Sequence, residues 1–214
     1  MFLEVITTPI KKFNNGYTMN CYVVGDDSAN SALGIVDPGD GAAAILKIVG
    51  TRDVSCIILT HRHIDHTAAL VELRELWEAG TVPVYVHELD KDGVLSELRK
   101  WNEAELASVL EGKLVTLADG ARLSIGELEL AVLHTPGHSA GSMCLYAENE
   151  QVLFSGDTIF YGTTGRTDLE SGSPAQMQAS LHKLAELPDE TTIYPGHDLP
   201  TSIALERKRA LVEY

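Results

Sequence analysis

The stretch Thr60–Leu70, THRHIDHTAAL, sets three histidines and one aspartate within six positions: His61, His63, Asp65 and His66. They follow directly on Cys56–Leu59, CIIL, an all-apolar run of the kind found in strands buried on both faces. Imidazoles at this density suit neither a solvated loop nor an apolar core. The fold must therefore carry a buried strand into a polar cluster and hold that cluster together. The H-x-H spacing lets two imidazoles of an extended segment grip one ion, and the following Asp-His pair, opening a helix, faces a second position. Imidazole and carboxylate donors suit zinc, iron and manganese. Positive metal charge, not apolar packing, is what such a cluster calls for.

Other polar residues obey the same rule. His134 and His138 follow LELAVL, Asp157 follows QVLFSG and His197 follows TTIYPG. Strand ends of a sandwich share one edge, where rigid scaffolds usually carry their sites, so these residues can converge. In the first half, FLEVITTPI, MNCYVVGDD and ALGIVDPGD read as strands closed by turn residues. A helix over Ala42–Val49 puts Ile45, Leu46 and Val49 on one face. A second helix, about Thr67 to Ala79, spaces Leu70, Leu73, Leu76 and Trp77 for burial. Val84–Val86 resumes a strand, and Glu88–Leu110 reads as mostly helical with a weak point at Gly93.

The second half offers strands over Arg122–Ile125, Leu128–His134, Ser142–Ala147, Gln151–Ser155 and Thr191–Tyr194. A helix begins at an N-cap Ser173 with Pro174 in its first position, and turns Met177, Leu181 and Leu184 inward. The pattern predicts a layered α/β domain spanning residues 1–214, built of two similar halves, roughly 1–120 and 121–214. His87 and His182 stand alone on ordinary secondary structure and read as structural.

Charge narrows the partners. Sixteen Lys+Arg against 31 Asp+Glu leave a net −15, which repels phosphate backbones and anionic membranes. No run of 18 apolar residues offers a membrane span, and MFLEVITTPIKKF lacks the plan of a signal peptide. Cys21, Cys56 and Cys144 are scattered and odd in number, which reads as reduced thiols in a cytoplasmic protein.

THRHIDH resembles the H-x-H-x-D-H signature of the metallo-β-lactamase-fold hydrolases. Four further motifs follow the family's pattern, the first of them upstream: VDPG at Val36–Gly39, TPGHSAGS at Thr135–Ser142, FSGDTIF at Phe154–Phe160 and YPGH at Tyr194–His197. The resemblance covers essentially the whole chain and implies a four-layer αβ/βα sandwich. It implies two divalent metal ions, zinc with iron or manganese as alternatives. His61, His63 and His138 would hold the first ion, Asp65, His66 and His197 the second, with Asp157 bridging. Asp37 would stand behind the ligands and orient them, and His134 matches no ligand position and reads as structural. Two such ions with two carboxylates leave the centre at about +2, enough to acidify a bridging water whose hydroxide attacks the substrate. Asp65, a ligand beside that hydroxide, is the candidate catalytic carboxylate.

Within the family, GDTIFYGTTGRTDL and PGHDLPTSIALER are similar to the short glyoxalase II-type hydrolases. That implies hydrolysis of hydroxyacylglutathione thioesters such as S-lactoylglutathione, with Tyr161 and Arg166 as candidate substrate contacts. The structural reading of Arg166 is a buried pair with Asp168 that locks its loop. Longer members continue past the last ligand into a helical domain that supplies basic residues for glutathione. This chain offers only Glu206-Arg207-Lys208-Arg209 there, expected as a solvated helix face. The GRTD loop and a YPxHD ending also occur in persulfide dioxygenases, which implies one iron on His61, His138 and Asp157. PGH in place of PAH favours the hydrolase. A lactonase or another small-ester hydrolase is a third reading.

Overall fold

The computed structural model describes residues 1–10, 16–77 and 81–211. Six strands form a first sheet in chain order: β1 (Phe2–Pro9), β2 (Thr18–Gly25), β3 (Leu33–Val36), β4 (Val54–Ile58), β5 (Val84–His87) and β6 (Leu114–Leu117). β1, β2 and β3 pair antiparallel, while β3 to β6 run parallel. The parallel connections carry α1 (Ala42–Val49), α2 (Arg74–Trp77), and then α3 (Lys91–Lys100) with α4 (Ala104–Leu110). A second sheet holds β7 (Arg122–Ile125), β8 (Leu128–His134), β9 (Met143–Ala147) and β10 (Val152–Gly156). A hairpin of β11 (Ile159–Phe160) and β12 (Thr163–Thr164) and then α5 (Pro174–Ala185) precede β13 (Thr192–Pro195) and β14 (Thr201–Ser202); α6 (Ile203–Glu206) follows. The second sheet's order is β14-β13-β10-β9-β8-β7, with β10 and β13 parallel and the other neighbours antiparallel.

Side-chain alternation along each strand builds the layers. On β2, Cys21 and Val23 face the α1, α3 and α4 helices, whereas Tyr22 and Val24 face the second sheet. On β4, Ile57 takes the helix side and Cys56 and Ile58 the inter-sheet side, so the strand is buried on both faces as its sequence predicts. On β10, Val152 and Phe154 point between the sheets and Leu153 packs with Met177, Leu181 and Leu184 of α5. The result is helices, sheet, sheet, helices, a four-layer αβ/βα sandwich. Among the described residues no helix is long and apolar enough to cross a membrane.

Helices depart from expectation more than strands do. In α1 the buried stripe is Ala42, Ile45 and Val49, and Leu46 is 43% exposed. The helix expected from Thr67 begins instead as short 3₁₀ turns over Ile64–His66 and Ala68–Leu70 and becomes α-helical only at Arg74. The Ala69 N–H donates to Pro38 O at 2.9 Å, tying this segment to the loop after β3. Leu70 and Leu73 still reach the core; the Trp77 side chain and residues 78–80 lie outside the described residues. The Glu88–Leu110 stretch breaks at Trp101–Glu103, not at Gly93. Asn102 takes a left-handed φ of 63°, and the Glu103 N–H closes back on Leu98 O, a helix-terminating turn that Asn tolerates. Gly93 stays helical, within α3, and the Arg62 guanidinium lies where a Cβ would project. β6 was not expected from sequence.

Phe154 is fully buried between Tyr22 and Tyr194, at ring-centroid distances of 5.1 and 5.9 Å. Phe154→Ala should cost about 3–5 kcal/mol in urea unfolding, the cost of an aromatic cavity. Leu46→Ala on the exposed face should change stability by less than ~0.5 kcal/mol. Equal effects at the two sites would contradict the layer assignment.

Candidate metal centre

The site lies where strands of both sheets end. His61 comes three residues after β4, His138 four after β8, Asp157 directly after β10 and His197 two after β13. The 3₁₀ turn after His63 adds Asp65 and His66. All seven candidate ligands come together there, and ligand atoms of His61, His63 and His138, and those of Asp65, His66 and His197, lie within 4.8 Å of one another. Asp157 sits between the groups: Oδ1 is 3.3 Å from His66 Nε2, and Oδ2 is 3.4 Å from His138 Nε2 and 3.5 Å from His197 Nε2. Asp65 Oδ2 is 3.5 Å from His197 Nε2.

Four of the five rings are aimed by what the outer nitrogen meets. Asp37 Oδ1 accepts from the Thr60 N–H at 2.7 Å, and its Oδ2 accepts from Thr60 Oγ1–H at 2.6 Å and from His66 Nδ1–H at 2.9 Å. With its proton committed to Asp37, Thr60 Oγ1 accepts from His61 Nδ1–H at 3.1 Å. His138 Nδ1–H donates to Arg166 O at 2.8 Å, and His197 Nδ1–H donates to Thr18 O at 2.6 Å. Four rings thus turn Nε2 inward. His63 brings Nδ1, 2.8 Å from His138 Nε2. Asp37 also neighbours His61 and His66 as a potential donor group, but its oxygens are occupied by these three bonds.

Lone pairs therefore converge with too few protons. His61 Nε2 and Asp157 Oδ1 are buried with no hydrogen-bond partner. Two imidazole nitrogens 2.8 Å apart, with orphaned acceptors beside them, fit a cation-binding site. Electrostatics separates the groups. Burial, reinforced by His66, drives His61 well below the usual imidazole value, and burial with His138 brings His63 down to about 4. Burial works the same way on His66 and His197, but Asp157 overrides it in both. With Asp37 it holds His66 well above the usual value, and with Asp65 it lifts His197 to about 10. Asp157 is itself held well below the carboxylate range, against burial, by His197 and His66.

Comparison with known proteins agrees with this geometry. The family model for the Metallo-beta-lactamase superfamily matches residues 16–197.

The chain belongs to the metallo-β-lactamase superfamily.

An uncharacterized protein of Aquifex aeolicus is 38% identical over 191 residues, 88% of this chain and 89% of that one. The probable metallo-hydrolase YqgX of Bacillus subtilis is 36% identical, covering 81% and 83%. Hydroxyacylglutathione hydrolase GloC of Haemophilus influenzae is 27% identical, covering 97% and 96%. Among solved structures, BLEG-1 B3 metallo-beta-lactamase matches with a TM-score of 0.74 at 33% identity, covering 97% of each chain. TTHA1623 in a di-iron-bound form matches at 0.72 and 33%, covering 98% of each. ETHE1 from Myxococcus xanthus matches at 0.74 and 25%, covering 98% of this chain and 83% of that one. With the His and Asp groups above, these make the chain a metallo-hydrolase of that superfamily.

Several peripheral expectations need correction. Arg166 and Asp168 do pair, Nε to Oδ1 at 2.7 Å and Nη2 to Oδ2 at 2.8 Å, but the pair is not buried: the side chains are 63% and 69% exposed. What anchors this loop is the Arg166 carbonyl on His138. Glu206 is not on a solvated face. It is fully buried and accepts from the Gly162 N–H at 3.0 Å and from Thr201 Oγ1–H at 2.6 Å, fixing the β11–β12 turn. Arg207 pairs with Asp189, and the Arg209 guanidinium lies 4.3 Å over the half-exposed Tyr161 ring. His87 does not stand alone; it stacks on His134 at 4.0 Å with the rings 10° apart.

Sequence reasoning also missed the residues of β2 that hold the His197 loop. Asn20 Nδ2–H donates to Pro195 O at 3.0 Å and Asp198 O at 2.9 Å, and Tyr22 O–H donates to Pro195 O at 2.5 Å. The available signal was a lone amide inside the apolar run MNCYVV. Gly196 completes the fit, since a Cβ there would collide with Asp157 Oδ1 and approach His66 Cε1.

Binding an ion needs the Nε2 lone pairs of His66 and His197, whereas Asp157 favours the protonated form of both rings. Calorimetric titration with Zn²⁺ at pH 7 in buffers of different ionisation enthalpy should report release of about one to two protons per chain. Affinity should fall as pH is lowered, because protons then compete for the same nitrogens. A buffer-independent enthalpy would contradict this.

Proposed function

We propose that the protein is a dinuclear metal-dependent thioesterase acting on hydroxyacylglutathiones such as S-lactoylglutathione. The observation that carries this reading is the pair of three-residue groups joined through Asp157. His61, His63 and His138 hold one divalent ion, and Asp65, His66 and His197 the other. Zinc is the ion we favour, with iron and manganese compatible with the same donors. Bound divalent ions supply Lewis acidity and a water acidified to near neutrality.

This chain's own residues do the rest. Asp157 spans the groups and fixes their separation. Asp65, beside His197, is the carboxylate placed to orient the nucleophilic water. Asp37 keeps the His61 and His66 rings in the tautomer that turns Nε2 inward. Tyr161 and Arg166 stand exposed on loops leading from Asp157 and are the candidate contacts for the substrate's peptide part. The guanidinium tied to Asp168 is less available than a free one, so Arg166 would act through its ordered loop as much as through its charge. The likeness to GloC along nearly all of both chains supports the thioester substrate. We place the protein in the cytoplasm, acting as one domain over residues 1–214, in keeping with three buried, unbridged cysteines and an acidic surface.

A second reading uses His61, His138 and Asp157 alone, a two-histidine, one-carboxylate set suited to a single iron and dioxygen chemistry on a persulfide. The second group's residues fit either reading, and it is Pro195-Gly196-His197, PGH in place of PAH, that argues against it. Elemental analysis together with turnover of S-lactoylglutathione with and without oxygen separates them. We expect two ions per chain and activity unchanged under anaerobic conditions. One tightly held iron with oxygen-dependent turnover would select the second reading, and activity confined to lactones or β-lactams would reject the thioester. Asp157→Ala, which removes a donor from both groups, should reduce kcat/KM by more than ~100-fold, beyond what loss of an outer partner costs.

A further inference from the structure

Asp90 lies on no motif. It follows β5 at the head of α3 and is fully buried. Its Oδ2 accepts from the Arg62 backbone N–H at 3.0 Å and from Ser139 Oγ–H at 2.5 Å, and its Oδ1 accepts from the Gly141 N–H at 3.0 Å. Arg62 is the residue between His61 and His63, and Ser139 directly follows His138.

We propose that Asp90 is a positioning residue for metal binding: one carboxylate fixes the backbone beside all three imidazoles of the His61, His63 and His138 group, and so sets the affinity and geometry of that group in particular. The inference rests on the dinuclear reading above.

A carboxylate is required by the donor count. Three donors converge on Asp90, and an ionised carboxylate offers only acceptors. Asparagine would aim an NH₂ group at one of those donors. The surroundings are shaped to the contact. A Cβ on Gly141 would come within 2.6 Å of Asp90 N and 2.7 Å of its Cγ. Arg62 is buried with Asp90's bond at its backbone, and its guanidinium packs on Gly93 and reaches Glu170 at 3.3 Å, which also binds Lys100 at 2.7 Å. His87, three residues before Asp90, stacks on His134, four before His138. The segment 87–90 thus straps the first sheet's histidine loop to the second sheet's.

The other group is aimed by different atoms. His66 leans on Asp37 and His197 on Thr18 O, and neither touches Asp90. A merely structural residue would weaken both groups together; a positioning residue for one group would not.

The test uses the full chain stripped of metal and titrated with Co²⁺ against a chromophoric chelator. Stepwise affinities, the d–d spectrum of each step and the Tm of the metal-free chain are recorded. His138→Ala identifies the step belonging to the first group. Asp90→Asn should weaken that step by about 10–100-fold and alter its Co²⁺ spectrum. The other step should stay within ~3-fold of wild type. Ser139→Ala, which keeps the carboxylate and two backbone bonds, should shift the same step by less, and it carries the test if Asp90→Asn does not fold. Equal weakening of both steps, or a lower Tm with unchanged affinities, would overturn the proposal. A wild-type chain binding one Co²⁺ would overturn the dinuclear reading alone, and the same variants would then test Asp90 on that single step.

Discussion

Five imidazoles and two carboxylates meet in a buried space where they satisfy one another only in part. His61 Nε2 and Asp157 Oδ1 find no partner, and an unpartnered buried polar atom costs about 1–3 kcal/mol. Added positive charge resolves this. Protons on His66 and His197 supply part of it in a metal-free chain, which is why Asp157 and its neighbours raise those two rings while burial lowers His61 and His63. A divalent cation supplies more, in the place where the lone pairs already point. The frustration is tolerated because four of the five rings are held from behind: His61 and His66 by Asp37, the first through Thr60, His138 by Arg166 O and His197 by Thr18 O. Metal affinity and fold stability are therefore coupled in this protein, since ions that bind only the folded chain add their binding energy to it.

What was legible in the sequence follows from how local each signal is. Strand limits at Arg122–Ile125 and Leu128–His134 agree to the residue, because alternation and turn residues are both local. The candidate ligands were legible because their chemistry is unusual for their position, at the ends of apolar runs. Helix faces were less so. Leu46 fits an apolar stripe on paper and is exposed, because α1 turns Ala42, Ile45 and Val49 to the core and leaves Leu46 off that face. The Thr67 segment has helical spacing, yet holding Asp65 and His66 against the loop after β3 tightens it into 3₁₀ turns. The Arg166–Asp168 pair was legible but its exposure was not, since burial depends on what the rest of the chain brings near. Asp90, Asn20 and Glu206 were invisible for the same reason: Asp90 meets residues 28 and 49 positions away, and Asn20 one 175 away.

Strand direction explains why the site is where it is. β3, β4 and β5 run parallel and deliver Asp37, His61 and Asp90 just past their carboxyl ends. In the second sheet β8 and β10 are both antiparallel to β9, and β13 is parallel to β10, so these three also point the same way. They deliver His138, Asp157 and His197. β2 runs opposite to β3, and accordingly it is its beginning, Thr18 and Asn20, that reaches the site. Two sheets packed face to face with their forward strands aligned thus gather six strand ends at one edge, as ligands gather outside the carboxyl ends of open α/β sheets. Four donors come from the one loop after β4 and the other three from just past β8, β10 and β13, so every donor segment starts from a strand its sheet holds fixed, and little freedom is left to lose when an ion binds. The contacts that cross between sheets, Asp90 to Ser139 and Gly141, and Asn20 and Tyr22 to Pro195, then set the spacing between two half-sites that each sheet builds separately.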